Sequence, residues 1–306
     1  MRETKASRTA EYMALFRALE SSRPRGLRLF EDPLARKFLG GRLAPLARLA
    51  VVPGLRELVP WLIDQRVPGA RSSAVARTRF LDDAIDAFLE ENPEQLVILG
   101  AGFDSRPYRL PGLRNLAVFE VDHPNTLAAK REVLAEALTA IPEHVRFVPT
   151  DFDQRGLESA MASAGYRESA LTFFVWEGVT NYLTEAGVDA TLRWCSRASP
   201  GSKLFFTYVH RRVLRDPSAF VGTAKLFASL ERFGEKWTFG IEPCELPSFL
   251  SDRGMSLERD LGASEYREIY FKEAARAMRG YEFYRIAVAR VGAHAAQPDA
   301  MRRRAS

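Results

Sequence analysis

The spacing of apolar residues changes character near Asn92-Pro93. Before that point the pattern is helical. Ala10, Met13, Ala14, Phe16 and Leu19 recur near a 3.6-residue period over residues 7–20, with Ser7 as a candidate N-cap. Asp32-Pro33 predicts a short helix through Leu39, the proline suiting its first position. Pro45, Pro53, Pro60 and Pro68 break residues 40–70 into short helices and turns. A longer helix is predicted over residues 74–91. Residues 1–92 thus read as a helical N-terminal extension, long enough to pack over a sheet edge or to cover a ligand site as a lid.

From Gln95 onward, continuous apolar runs alternate with helix-like stretches. Strands are predicted at 95–100, 116–121, 145–150, 171–177, 202–209, 256–261 and 282–291, and helices at 124–138, 154–164, 184–198, 218–233 and 243–253. Wholly apolar strands alternating with helices imply a parallel sheet covered on both faces. The expected fold is α/β: a Rossmann-like, doubly wound, mostly parallel seven-stranded sheet with an antiparallel terminal strand. Residues 93–292 would form that domain, and 293–306 a disordered basic tail.

The most informative chemistry lies where strands end. Gln95–Leu99 runs into Gly100-Ala101-Gly102-Phe103-Asp104, and about twenty residues later Leu116–Phe119 runs into Glu120-Val121-Asp122. A glycine turn after the first strand lets a ligand approach the backbone, and an acid ending the second accepts hydrogen bonds from a ribose diol. The third glycine of a dinucleotide fingerprint is replaced by Ser105. Asp104 in the turn would repel a pyrophosphate but suits a cation such as the ammonium and sulfonium of S-adenosylmethionine (SAM). No P-loop is present.

Later strand ends carry further candidates. At Asp151-Phe152 a carboxylate could accept from an adenine amine while the phenyl face packs on the ring. Glu177 follows the apolar run Phe173–Trp176, at the methyl-donor end of such a cofactor. Arg77 and Arg79 lie on the helix before the first strand, and Arg77 could pair with an amino-acid carboxylate or form a surface ion pair. His210 ends the fifth strand and is a candidate base or substrate ligand. His123 reads as structural, His144 opens a strand, and His294 lies in the tail.

Composition narrows the classes. The chain has 306 residues, 46% of them hydrophobic, enough for a large core. No apolar run is long enough for a membrane span. Cys195 and Cys244 have no metal-ligand or disulfide spacing, which fits a reducing cytoplasm, and Cys195 reads as core. The net charge of +5 comes from basic residues dispersed among acids, so neither a nucleic-acid nor a membrane partner is expected, and no metal.

With these residues in view, the chain resembles the leucine carboxyl methyltransferase-like family of class I SAM-dependent methyltransferases, including its polyketide O-methyltransferase and actinobacterial branches. The resemblance rests on Ser7-Arg8-Thr9-Ala10, Asp32-Pro33-Leu34-Ala35, residues 76–82 (Ala-Arg-Thr-Arg-Phe-Leu-Asp), Leu99 to Arg106, Phe119 to Pro124, Asp151-Phe152 and Glu177 to Leu183. These segments run in the family's order over residues 7–185. The resemblance implies SAM as cofactor. Arg77 would hold the methionine carboxylate and Gly100 would line the site. Asp122 would hold the ribose, Asp151 and Phe152 the adenine, and Glu177 the methionine end. Arg17 would match a further basic contact.

The function expected is O-methylation of a small-molecule acceptor, with a carboxylate favoured over a phenol. A carboxylate is already ionised and needs no base, whereas a phenol does, and only His210 or Tyr208 offers one at a strand end. The alternatives are methylation of a protein C-terminal carboxylate, an NAD-dependent oxidoreductase, and a catalytically silent SAM-binding protein.

Overall fold

The computed structural model describes residues 8–41, 43–152 and 156–292; Ser7, Asp153, His294 and the basic tail lie outside them. Seven strands form one sheet: β1 (Gln95–Leu99), β2 (Ala117–Asp122), β3 (Val145–Pro149), β4 (Thr172–Trp176), β5 (Lys203–Val209), β6 (Met255–Leu261) and β7 (Tyr284–Val291). Their order is β3-β2-β1-β4-β5-β7-β6. Strands β1 to β5 pair in parallel, and β7 runs antiparallel to both neighbours, β5 and β6. The expected doubly wound sheet with an antiparallel last strand is what forms.

Among the described residues twelve α-helices surround it: α1 (Arg8–Ser21), α2 (Leu43–Leu49), α3 (Leu58–Arg66), α4 (Ala70–Leu89), α5 (Arg106–Arg109), α6 (Pro124–Ala137), α7 (Leu157–Ser163), α8 (Glu185–Cys195), α9 (Arg212–Arg215), α10 (Thr223–Phe233), α11 (Leu246–Ser251) and α12 (Ala263–Phe271). The period-two alternation within each strand serves two cores. Leu96 and Ile98 pack with Phe80, Leu81 and Ile85 of α4 and with Tyr266 of α12. Val97 and Leu99 face the opposite way, toward Met161 of α7, Leu192 of α8 and Leu250 of α11. Helix α4 is therefore a full member of one layer. Cys195 lies within the second core.

Residues 32–39 depart from expectation: they form successive turns, not a helix. The Asp32 carboxylate accepts from the Leu34 and Ala35 N–H groups at 3.0 Å each. Its other oxygen is taken by Arg17 and Ser105. Tertiary bonds thus hold this segment to α1 and to the turn after β1. Helix α10 starts at Thr223 because Gly222 before it is left-handed, at φ 85°.

The sheet order reverses between β1 and β4. Chain leaving β1 goes to one side, chain leaving β4 to the other, and the crevice opened at their carboxyl ends is where α/β sheets bind ligands.

Candidate functional site

Gly100, directly after β1, sits at φ +72°, where a side chain is strained. A Cβ there would lie 2.2 Å from Val179 Cγ2. The Gly100 and Ala101 N–H groups donate to the Val121 carbonyl at 2.8 and 3.0 Å, binding the turn to β2. Asp122 closes it from the other side. One carboxylate oxygen accepts from Gly102 N–H and the other from His123 N–H, each at 2.6 Å. Burial raises the Asp122 carboxyl above its usual range, and these N–H groups oppose the rise. A carboxylate has about four lone-pair directions, so it can still accept from a diol. Thr150 N–H donates to the Asp122 carbonyl at 2.9 Å, which brings Asp151 and Phe152 alongside. Phe152 is half-buried against the core beneath α7 and α8.

At the end of β4 a buried ionic network begins. Arg77 Nε donates to Glu177 Oε1 at 2.6 Å. Arg106 Nη1 reaches Glu177 Oε2 at 3.3 Å and Asp104 Oδ2 at 2.5 Å. Arg106 Nε donates to Asp82 Oδ1 at 2.8 Å, and Arg109 Nη2 to the same oxygen at 2.7 Å. Burial raises the Glu177 carboxyl, but the Arg77 and Arg106 guanidinium groups outweigh it and hold the group below the usual carboxylate range. Asp104 follows the same balance, with Arg106 the main opposing charge, and is held down at about 2. Asp104 is therefore matched by Arg106 within the protein.

Arg77 also lies over the Tyr284 ring, 4.6 Å from its centroid. Only 3% of Arg77 is exposed, which puts it on the inward face of α4. Arg79, two residues on, turns outward to the Leu29 carbonyl and Asp83. Of the two arginines, Arg77 alone meets Glu177.

A second buried pair lies beneath the glycine turn. Lys130 Nζ of α6 is 2.9 Å from Glu120 Oε1, and both side chains are fully buried. Burial pushes the Glu120 carboxyl up to about 7, against the pull of Lys130. Lys130 also donates to the Ala101 carbonyl at 3.4 Å. Arg106, Asp82, Arg109 and Lys130 were not among the sequence candidates. Charged residues in apolar helix faces signal them only weakly, because such residues usually point to solvent; Asp82 and Arg106 also end two of the segments that carry the family resemblance.

Helix α1 crosses this region. Arg17 bonds Asp32 at 2.8 Å and the Phe103 carbonyl at 2.6 Å, so it braces the turn. Ala10 Cβ lies 3.6 Å from where a Gly102 Cβ would be. At the other end, Thr9 donates to Glu235 at 2.5 Å, and Tyr182 reaches the same oxygen at 3.1 Å.

His210 lies apart. Its Nδ1 accepts from Arg212 N–H at 3.3 Å and is 3.4 Å from Glu242, and its ring lies against Phe220 at 5.4 Å. Among the described residues no hydrogen bond or ion pair joins it to the other six candidates. Tyr208 is no base for this crevice: its hydroxyl is held by Asp260 and Arg285 beside β6 and β7. His123 caps α6 by accepting from Asn125 N–H. Among the described residues no helix is long and apolar enough to cross a membrane, and no group of three or more His, Cys, Asp or Glu side chains could hold a metal.

Known proteins resemble this chain in sequence and fold. The family model described as leucine carboxyl methyltransferase matches residues 10–196. A protein of Parafrankia sp., provisionally named an S-adenosyl-L-methionine-dependent methyltransferase, is 31% identical over 85% of this chain and 81% of its own length. A Streptomyces coelicolor protein with the same provisional name is 34% identical over 67% of this chain and 70% of its own. Among solved structures, a provisionally identified methyltransferase of Thermobifida fusca aligns with a TM-score of 0.61 at 18% identity, covering 95% of this chain and 97% of that one. A DUF574 family protein of Streptomyces avermitilis gives a TM-score of 0.55 at 13% identity, covering 94% and 98%. These structural likenesses carry the fold. The family match and the sequence identity decide between methyl transfer and the oxidoreductase alternative, and the chain belongs to the leucine carboxyl methyltransferase family of SAM-dependent methyltransferases.

Proposed function

We propose that this SAM-dependent methyltransferase acts on an oxygen of a small-molecule acceptor, a carboxylate in preference to a phenol. The observation that carries the cofactor half is the Arg77–Glu177 pair at the mouth between β1 and β4. It presents one cation and one anion, as the amino-acid end of SAM requires. Arg77 would take the carboxylate and Glu177 the ammonium. Asp122 would accept from the ribose hydroxyls, Gly100 would let the backbone approach, and Asp151 and Phe152 would meet the adenine. When bound, SAM supplies a methyl group already activated on a sulfonium. What remains for the protein is alignment and exclusion of water. The N-terminal helices would serve as the lid, a reading supported by the bonds of α1 to the glycine turn and to Glu235.

The carboxylate preference rests on the scarcity of bases. Tyr208 is committed to Asp260. While His210 Nδ1 accepts the Arg212 amide, the neutral ring carries its proton on Nε2 and has no lone pair for a substrate hydroxyl. Donation from Nδ1 to Glu242 instead would free Nε2, so the assay must include both acceptor classes. Methyl-labelled SAM, a panel of small acids and phenols, and a peptide ending in leucine would be incubated with the protein. Label released from small-acid products by alkali supports the proposal. Alkali-stable ethers would reject the carboxylate preference. Labelling of the peptide alone would favour a protein acceptor; the family's description names a leucine carboxyl.

A further inference from the structure

Glu177 has two cationic partners, one on each carboxylate oxygen, and they are not equivalent. Arg77 makes one hydrogen bond to Glu177 and also meets the Met13 sulfur and the Tyr284 ring. Arg106 is anchored on every side. Its Nε is bonded to Asp82, its Nη1 to Asp104 and Glu177, and its backbone N–H to Asp104 Oδ1 at 2.8 Å. Asp82 is itself fixed by Arg109. Arg106 therefore joins the turn after β1, the end of β4 and the inner face of α4, with its side chain only 5% exposed.

The charges of this group balance. Arg77, Arg106 and Arg109 face Glu177, Asp104 and Asp82, three cations against three anions. An amino-acid zwitterion brings one charge of each sign, so the group stays balanced when one enters. An incoming carboxylate that draws on the Arg77 guanidinium competes with Glu177 for it, because Glu177 is held by the single Nε bond. A buried carboxylate that lost its only cation would be costly and would move or take up a proton.

We propose that Arg106 is a positioning residue that keeps Glu177 in place and ionised for the cofactor's ammonium once Arg77 turns to the cofactor's carboxylate. The proposal rests on the reading of this crevice as the SAM site. It assigns the internal Arg77–Glu177 pair as a placeholder that the zwitterion displaces, with Arg106 as the partner that stays.

The test compares two ligands by calorimetry: S-adenosylhomocysteine, and 5′-methylthioadenosine, which keeps the nucleoside but lacks the amino-acid end. In Arg106→Gln the first should bind about tenfold or more weakly, the loss expected for a hydrogen bond to a charged group. The second should change by less than about twofold. Arg106→Lys keeps a charge but cannot reach Asp82, Asp104 and Glu177 together, so it should fall between. Equal weakening of both ligands would show a structural staple only and overturn the proposal, as would unchanged binding of both. If Arg106→Gln does not fold, Asp82→Asn removes one anchor of Arg106 and should show the same ligand selectivity at smaller size. Absence of that selectivity in a folded Asp82→Asn protein would equally overturn it. Failure of the wild type to bind S-adenosylhomocysteine would reject the SAM site itself, before any variant is considered.

Discussion

The carboxyl ends of β1, β2 and β4 differ sharply from those of β5 and the start of β7. The first region is charged, and its charges are matched: Arg77 with Glu177, Arg106 with Asp104 and Asp82, Lys130 with Glu120. The second is aromatic. Trp237 meets Tyr182 at 6.4 Å, Phe227 at 5.5 Å and Phe283 at 5.8 Å, and Phe220 and Tyr281 close on Phe283. Placed charges specify the chemistry of what binds, because each demands an opposite charge or a hydrogen bond at one point. Aromatic faces specify little beyond an apolar shape. On the proposed reading the first region would hold the cofactor, and the second would restrict the acceptor only loosely.

The largest effect expected from breaking this contrast is in Lys130→Met. It strands Glu120 in the core, and removal of one partner of a buried pair typically costs about 3–5 kcal/mol. Urea unfolding measures it. The pH dependence sharpens the test. The folded Glu120 carboxyl lies at about 7, above its ordinary value. The folded state therefore holds the extra proton, and this group's contribution to stability falls as pH rises between about 4.5 and 7. Without Lys130 the Glu120 carboxyl is pushed higher still, so in the variant the loss should continue above pH 7. A flat profile in both proteins would break the assignment.

Next come the cofactor contacts. Asp122→Ala should weaken S-adenosylhomocysteine binding by about 1.5–3 kcal/mol, the worth of hydrogen bonds to a charged group. Arg77→Lys should fall in the same range because lysine has no fork, whereas Arg79→Lys should matter little. Comparable losses at both arginines would mean that the inward one has no special role.

The acceptor side should respond less and differently. His210→Gln should change the rate with a carboxylate only modestly. A phenol would lose about 10²–10⁴-fold if the imidazole serves as its base. Smallest of all, Trp237→Leu should leave cofactor affinity within about twofold. It should instead shift KM among acceptors of different bulk. A large drop in cofactor affinity would show that the two regions are not separable.

Legibility followed the same division. Most of the seven strands stood out because apolar runs bounded by turns need no knowledge of what packs on them, whereas β6, with Ser256, Glu258, Arg259 and Asp260, is no such run. Gly100, Asp122, Asp151, Phe152 and Glu177 were candidates because chain position puts them at strand ends. The helix expected at residues 32–39 failed because Asp32 is bonded to Arg17 and Ser105, partners far away in sequence. The same limit hid Arg106 and Lys130. Local pattern says that a charged residue lies on a helix, not that a carboxylate waits inside the fold to receive it.

The sequence by itself determined the alternation of strands and helices, the glycine turn with its acid twenty residues on, and the family, because each is carried by local spacing and residue type. Tertiary structure alone decided which charges neutralise one another. It paired Asp104 with Arg106, divided Glu177 between two arginines, and turned Tyr208 away from the crevice toward Asp260. The reason is physical. Burial and opposite charge within a few ångströms set the cost and state of an ionisable group, and both are properties of the folded chain.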